Sequence, residues 1–324
     1  MLRAWLERGG DPALQFVAVN DVASGDMLAH LLSFDSTHGR FPGTVHWHGD
    51  QLEVQMHGQP LHRIRLLQEA QPEALPWEEL GVDLVLECTG LFRSREGASR
   101  HLYAGAKRVM IGAAPFDQVD AAIVYGVNHE TLAAEHRIIS SVSCTTQALV
   151  PLIQLLDQAY GIESALMTEI HAVTTDQSVL DHAHRDPRRA RAAGFNIIPT
   201  PSSALGALKR VLPQMENRID GYSIRVPTLN VAAIDVSAVL NREVTVEELN
   251  ALFVQASRKT YAGIMGVTDR PLVSSDFNHQ PESLVVDMLQ TMSVGRQVKI
   301  LAWYDNEWGY ANRLLDLCGV IGRL

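Results

Sequence analysis

Residues 137–161 read RIISSVSCTTQALVPLIQLLDQAYG. After Arg137 the next six, IISSVS, are apolar or small and read as a buried strand. The remainder carries apolar residues at helical spacing. Cys144 stands at the joint between them. Unpaired backbone N–H groups and the helix dipole at such a joint favour a thiolate, the reactive form of cysteine. A free cysteine is also, in many folds, a small buried hydrophobe. Both readings stay open on this stretch alone. The strand-then-helix order is what decides the fold class, because the same order recurs upstream.

LQFVAVND (14–21), VDLVLECTG (82–90), RVMIGA (108–113) and AAIVYGV (121–127) are short apolar runs, and helical patterns such as REGASRHLYAGA (95–106) lie between several of them. Apolar strands alternating with helices predict a parallel sheet covered on both faces. Ligands then sit beyond the carboxyl ends of the strands. Asp21, Thr89, Gly90 and Cys144 all fall at such ends. Downstream the pattern changes. SALMTEIHAVTT (164–175), GYSIRVPT (221–228), VAAIDVSAVLN (231–241) and QVKILAWYD (297–305) follow one another with few helices between them, which predicts an antiparallel sheet. TVEELNALFVQAS (245–257) reads as a helix with a Thr245/Glu248 capping box. Residues 181–203 form a long irregular stretch, a length at which loops in compact domains are functional or disordered. The expected architecture is α/β: a Rossmann-type parallel-sheet domain over 1–143 and an α+β catalytic domain with a mostly antiparallel sheet over 144–308. The amphipathic helix 309–324 is expected to pack back on the first domain.

The chain has 324 residues, 46% of them hydrophobic, and a net charge of −10. An acidic balance argues against a nucleic-acid surface, since phosphate backbones attract basic faces. No apolar run approaches the roughly 18 residues of a membrane span, and the opening MLRAWLERGGD lacks the apolar block of a signal peptide. Three widely spaced cysteines, Cys88, Cys144 and Cys318, form no disulfide framework, which fits a reducing cytoplasm. The pairs His46/His48 and His182/His184 invite a metal reading, but no third ligand stands at a useful spacing. His171, on a strand of the second domain, could serve Cys144 as a base; the rival reading is a satisfied core histidine. Arg188, Arg189, Arg191 and Arg225 suit phosphate or carboxylate. At least two of them read equally well as solvated charge. No glycine-rich GxGxxG turn occurs. The strand ending at Asp21 therefore reads as the second of a dinucleotide-binding unit, and the chain is expected to lack the first strand and phosphate loop.

SVSCTTQ (141–147) resembles the Ser-Cys-Thr-Thr-Asn signature of the glyceraldehyde-3-phosphate dehydrogenase family, and the likeness continues in VAVND, FDSTHGRF, ECTGLFRSRE, RRARAA, NIIPT, RVPTLNV and WYDNEWGYANR. The last of these is highly specific. The resemblance implies Cys144 as nucleophile and His171 as general base. It implies a substrate site drawn from Ser143, Thr145, Thr174, Arg189, Ser202, Ser203 and Arg225. It implies NAD held by Asp21 at the ribose, by Thr89 and Gly90 near the nicotinamide, and by Asn306 at the carboxamide. NAD is favoured over NADP because Asp21 would repel a 2′-phosphate and no arginine follows it closely. A phosphorylated aldehyde substrate and a homotetramer are implied too. LPWEELGVDLVLECTG, GVNHETLAAEHRI and SSDFNHQPES resemble the erythrose-4-phosphate branch of the family, which hydrolyses its thioester with water and feeds pyridoxal phosphate synthesis. Three departures from the glycolytic pattern stand out: Gln147 for asparagine, Ser202-Ser203 for the Thr-Gly pair of the inorganic-phosphate loop, and Asp176 for a threonine of the substrate-phosphate site. The alternatives carried forward are a phosphorylating glyceraldehyde-3-phosphate dehydrogenase and a non-catalytic remnant.

Overall fold

The computed structural model describes residues 1–324, which divide into two compact units. The first comprises Met1–Ala122, Thr131–Ser141 and Leu314–Leu324; the second comprises Ile123–Glu130 and Val142–Arg313. This division differs from the expected boundary at 143/144 by moving 123–130 and 142–143 to the second unit. Only the later part of the terminal helix Trp308–Ile321 belongs to the first unit.

In the first unit, Leu84–Glu87, Arg108–Ile111, Ile138–Ser140 and Ala121–Ala122 pair in parallel, as the alternation of strands and helices predicts. The helix Arg95–Tyr103 provides a crossover, capped by the Ser94 hydroxyl accepting from the Gly97 N–H. Leu75, Trp77, Val85, Ala98, Val109, Ile111 and Ile138 form the core of this layer. A second sheet was not foreseen. Ala18–Asn20 runs parallel to His62–Leu67, which then pairs antiparallel with Gln51–Met56, itself the partner of Gly43–His48. The alternation along QLEVQM, with Leu52, Val54 and Met56 inward, explains this hairpin. His46 and His48 stack on one another in it, and no group of three ligand-type side chains surrounds them.

The expected strand over 121–127 stops at Ala122. The cause lies in Gln147, a buried side chain whose Nε2 donates to the Ile123 carbonyl and whose Oε1 accepts from the Tyr125 N–H. These bonds draw 123–130 onto the helix Cys144–Tyr160.

The second unit is built on one sheet in the order Ile198–Thr200, Ile219–Arg225, Ile162–His171, Ala232–Leu240, Gln297–Tyr304, Leu284–Asp287, Met265–Thr268, with Met292–Val294 pairing on Gln297–Tyr304. Most pairings are antiparallel; Ile162–His171 with Ile219–Arg225 and Met265–Thr268 with Leu284–Asp287 are parallel. Along Ile162–His171 the odd-numbered residues from Ala165 onward are buried. The helix Cys144–Tyr160 lies on the sheet with Leu149, Leu152, Ile153 and Leu156 buried. The helix Val246–Arg258 starts with the expected Thr245/Glu248 capping box. Residues 172–197 hold neither helix nor strand. No helix of the chain is long and apolar enough to cross a membrane.

Candidate active site

The turn into the helix Cys144–Tyr160 is strained. Val142, buried and β-branched, sits at φ +53°, a region such residues rarely occupy and which costs about 1–3 kcal/mol. Its carbonyl is held by the Tyr310 hydroxyl at 2.9 Å. Ser143 follows as N-cap, its Oγ accepting from the Thr146 N–H at 3.1 Å. Cys144 is therefore the first residue of the helix, where the sequence places it. Thiolate character at rest does not follow. Packing around the sulfur, and after it the Glu169 charge, push the Cys144 thiol up to about 11, although part of the residue remains accessible. A helix N-terminus contributes about 0.3–1 kcal/mol, less than the 1.4 kcal/mol of one pKa unit, so burial wins.

The Cys144 Sγ lies 3.6 Å from Nε2 of His171, at the end of the strand Ile162–His171. Burial first, and then the adjacent Arg225 guanidinium, lower the imidazole to about 4, so it is neutral at pH 7. Its Nδ1 lies 2.7 Å from the Ala172 carbonyl and 2.5 Å from Arg225 Nη1. It cannot donate to one and accept from the other at the same time. With the proton on Nδ1, bonded to Ala172, Nε2 presents a lone pair to the sulfur. With Arg225 donating to Nδ1, Nε2 carries the proton and can serve an anion. As a general base His171 passes from the neutral form with a lone pair on Nε2 to the imidazolium, in which both ring nitrogens donate and the Arg225 contact to Nδ1 has to loosen.

Glu169 is the site residue that the sequence reading missed. It shares the inward face of the strand with His171, two residues on, and is 3% exposed. Its Oε1 accepts from Thr145 Oγ1 at 3.0 Å, and its Oε2 accepts from the Ser202 hydroxyl. It stands 4.0 Å from both His171 Nε2 and Arg225 Nη2. Thr145 also meets the Tyr304 hydroxyl at 2.8 Å. The hydroxyls of Thr145 and Ser202 are thus engaged with a carboxylate, and that of Ser143 is a helix cap. The strand alternation would have revealed Glu169, since every second residue before a buried histidine shares its face.

Of the four arginines, Arg188 and Arg191 are exposed, Arg191 pairing with Asp181 at 3.0 Å. Arg189 is half-buried: it donates to Thr200 Oγ1 at 2.8 Å and is ion-paired with Asp176. Burial acts against the Asp176 carboxylate, but Arg189 and His184 outweigh it and hold its pKa low. His184, whose Nε2 is 3.4 Å from Asp176, is part of this network. Arg225 keeps a buried Nε without a partner. Thr174 is half-buried in the loop after His171. Ser203, exposed at the start of the helix Ala204–Val211, is not joined to the Glu169 cluster.

In the first unit, Asp21 is exposed just past Ala18–Asn20, and its carboxylate accepts from the Ala23 N–H at 2.9 Å. Glu87, buried at the end of Leu84–Glu87, accepts from the N–H and hydroxyl of Thr89 and lies 3.0 Å from His101 Nε2. Trp77 donates to the other ring nitrogen at 3.1 Å. Burial pushes the Glu87 carboxyl up, but these hydrogen bonds outweigh it and hold it below the usual range. The network fixes the Thr89-Gly90 turn, where Gly90 takes φ +76°. In the second unit, Asp305 accepts from the N–H groups of Glu307 and Trp308, and through its other oxygen from His279. It thereby sets the position of Asn306, whose Oδ1 is buried with no hydrogen-bond partner. An orphaned acceptor of this kind fits an amide N–H of a nicotinamide carboxamide.

Residues 1–95 match the model of the NAD-binding domain of glyceraldehyde 3-phosphate dehydrogenase, and residues 143–306 match its C-terminal domain. Fold and site together define an NAD-dependent dehydrogenase. Over 316 residues, 98% of this chain and 93% of the relative, it is 48% identical to the plasmid glyceraldehyde-3-phosphate dehydrogenase of Cupriavidus necator. Over the same span it is 47% identical to the chromosomal enzyme of that organism. The chain belongs to the glyceraldehyde-3-phosphate dehydrogenase family.

Proposed function

We propose that this chain oxidises D-erythrose 4-phosphate to 4-phosphoerythronate, through a thiohemiacetal and then a thioester on Cys144 that water cleaves. The observation that carries the thioester chemistry is the neutral pair of Cys144 Sγ and His171 Nε2 at 3.6 Å; the four-carbon substrate is supported by the sequence resemblance alone. As Sγ attacks the aldehyde carbon, its proton passes to Nε2 and the imidazole then carries a charge that Glu169, 4.0 Å away, offsets. The emerging oxyanion accepts from backbone N–H groups at the helix start and from His171. Bound NAD supplies the hydride acceptor that makes the oxidation possible. We assign Asp21, Thr89, Gly90 and Asn306 to holding it. The unpartnered Arg225 Nε is the donor that best suits the substrate phosphate; Thr174 follows three residues after His171, the register partner of Arg225. Arg189 is held by Asp176 through Nη1 and by Thr200 through Nε, which fixes the guanidinium while leaving Nη2 to offer.

A second reading is a phosphorylating glyceraldehyde-3-phosphate dehydrogenase, favoured by the names of the two Cupriavidus relatives. NADH formation with each sugar phosphate, with and without inorganic phosphate, separates the two. Phosphate-independent turnover that prefers the four-carbon sugar supports the first; phosphate-dependent turnover of the three-carbon sugar supports the second. We further propose a cytoplasmic homotetramer. Val179, Leu180, Phe195 and Ile197 in the long loop, and Leu166 and Tyr222 on the sheet, are exposed apolar side chains of the second unit that an assembly would cover. Light scattering at several concentrations tests it.

A further inference from the structure

We propose that Glu169 selects the acyl acceptor: its carboxylate, lodged beside the Cys144–His171 pair, keeps inorganic phosphate from a thioester on Cys144 and leaves water to cleave it. The inference rests on the reading above, that Cys144 carries a thioester.

Its placement is rigid. The strand around Glu169 pairs on both sides, with Ser223 in register on one neighbour and Ile234 on the other. The side chain is 3% exposed, and both oxygens hold hydroxyl donors, Thr145 and Ser202. It cannot swing out to solvent without breaking both bonds. Thr145 Oγ1 lies 4.0 Å from Cys144 Sγ and 3.0 Å from Glu169, and His171 Nε2 lies 3.6 Å from Sγ and 4.0 Å from Glu169. The negative charge therefore flanks the sulfur on the side of the base. Its influence reaches the sulfur, since Glu169 is among the groups that disfavour the thiolate.

The acceptor must bond to the carbon attached to Sγ, so it enters this field. An oxyanion of phosphate meets like-charge repulsion, while water meets none and finds a hydrogen-bond acceptor. At several ångströms in a partly shielded interior, such repulsion disfavours an anion by about 100-fold. The substrate's own phosphate sits at the far end of a three- or four-carbon chain, so charge next to Sγ discriminates among acceptors more than among substrates. In the favoured step, water adds to the thioester carbonyl carbon and the C–S bond breaks. The water proton passes through His171 Nε2 to the departing sulfur. Acid and thiol result, with no change in oxidation state. With phosphate, a C–O bond to phosphorus oxygen would form instead and give an acyl phosphate.

The test compares the full-length chain with Glu169→Gln, which keeps the shape and removes the charge. A pre-steady-state burst of NADH reports thioester formation, and phosphorus NMR of the product distinguishes free acid from acyl phosphate as inorganic phosphate is raised. The expected result is a burst in both proteins, slower in Glu169→Gln because the imidazolium loses its counter-charge, with free acid from the wild type at every phosphate concentration and a rise of at least about tenfold in the acyl-phosphate share for Glu169→Gln. Acyl phosphate as the main wild-type product, or an equal share from both proteins, overturns the proposal while leaving the thioester reading intact. Absence of a burst in the wild type overturns both. If Glu169→Gln fails to fold, Glu169→Thr repeats the comparison, and the wild-type partition decides alone if neither variant folds.

Discussion

Glu87 and Glu169 are both carboxylates buried at strands, each 3% exposed, each accepting from a threonine hydroxyl and each near a histidine. Their tasks differ because of what surrounds the histidine. His101 has both ring nitrogens engaged, by Glu87 on one side and Trp77 on the other, so the first triad has no free valence and only holds a turn. His171 turns one nitrogen to a sulfur and shares the other between a carbonyl and an arginine. The same pair of residue types is a brace where every lone pair is matched, and chemistry where one is left to a nucleophile.

The comparison breaks if the two sites respond alike. Cys144→Ala is expected to abolish aldehyde oxidation, by about 10⁴-fold or more, with unfolding unchanged to within about 1 kcal/mol. Activity surviving that change would remove the sulfur from the chemistry. Glu87→Ala is expected to do the reverse, destabilising the fold by about 2 kcal/mol, because it strands the buried His101 N–H and frees the exposed Thr89 turn. Urea unfolding reads the loss. Its sign with pH follows from the lowered Glu87 pKa: the stabilisation is present above the unfolded-state value and is lost as pH falls through the lower folded value. For Cys144, a thiol raised to about 11 means that alkylation by iodoacetamide climbs about tenfold per pH unit from neutral upward. Glu169→Gln lowers that pKa and speeds alkylation at pH 7 by up to about tenfold; a plateau near neutrality in the wild type would contradict the buried-thiol picture. Smallest of all, Ser143→Ala removes a helix cap and is expected to cost about 1 kcal/mol of stability, measured in the same urea titration.

Much of this contrast was open to reading before any coordinates. The Cys144 joint shows in the switch from an apolar run to helical spacing, and the Thr245/Glu248 box shows in two residues three apart. Glu169 escaped because a glutamate within an apolar strand reads as an outward residue unless the register is anchored on His171. The antiparallel hairpin over 43–56 escaped because its polar outward face, HWH among it, drew attention to a metal rather than to pairing. The early stop of the strand at Ala122 depends on Gln147, whose amide finds Ile123 and Tyr125 only in three dimensions. The burial that pushes the Cys144 thiol up was not legible, because spacing shows a helix start but not how tightly the sulfur is packed.

The interleaving of segments has a consequence for synthesis. The first unit is assembled from 1–122, 131–141 and 314–324, and Arg8 joins Asp316 across it at 2.8 Å. A ribosome delivers the nucleophile, the base and the whole eight-stranded sheet before it delivers the segment that completes the layer begun at the first residue. Domains commonly fold in the order they emerge. Here the earliest-born portion is the last to be finished, because its closing segment 314–324 is made after every strand of the second unit's sheet.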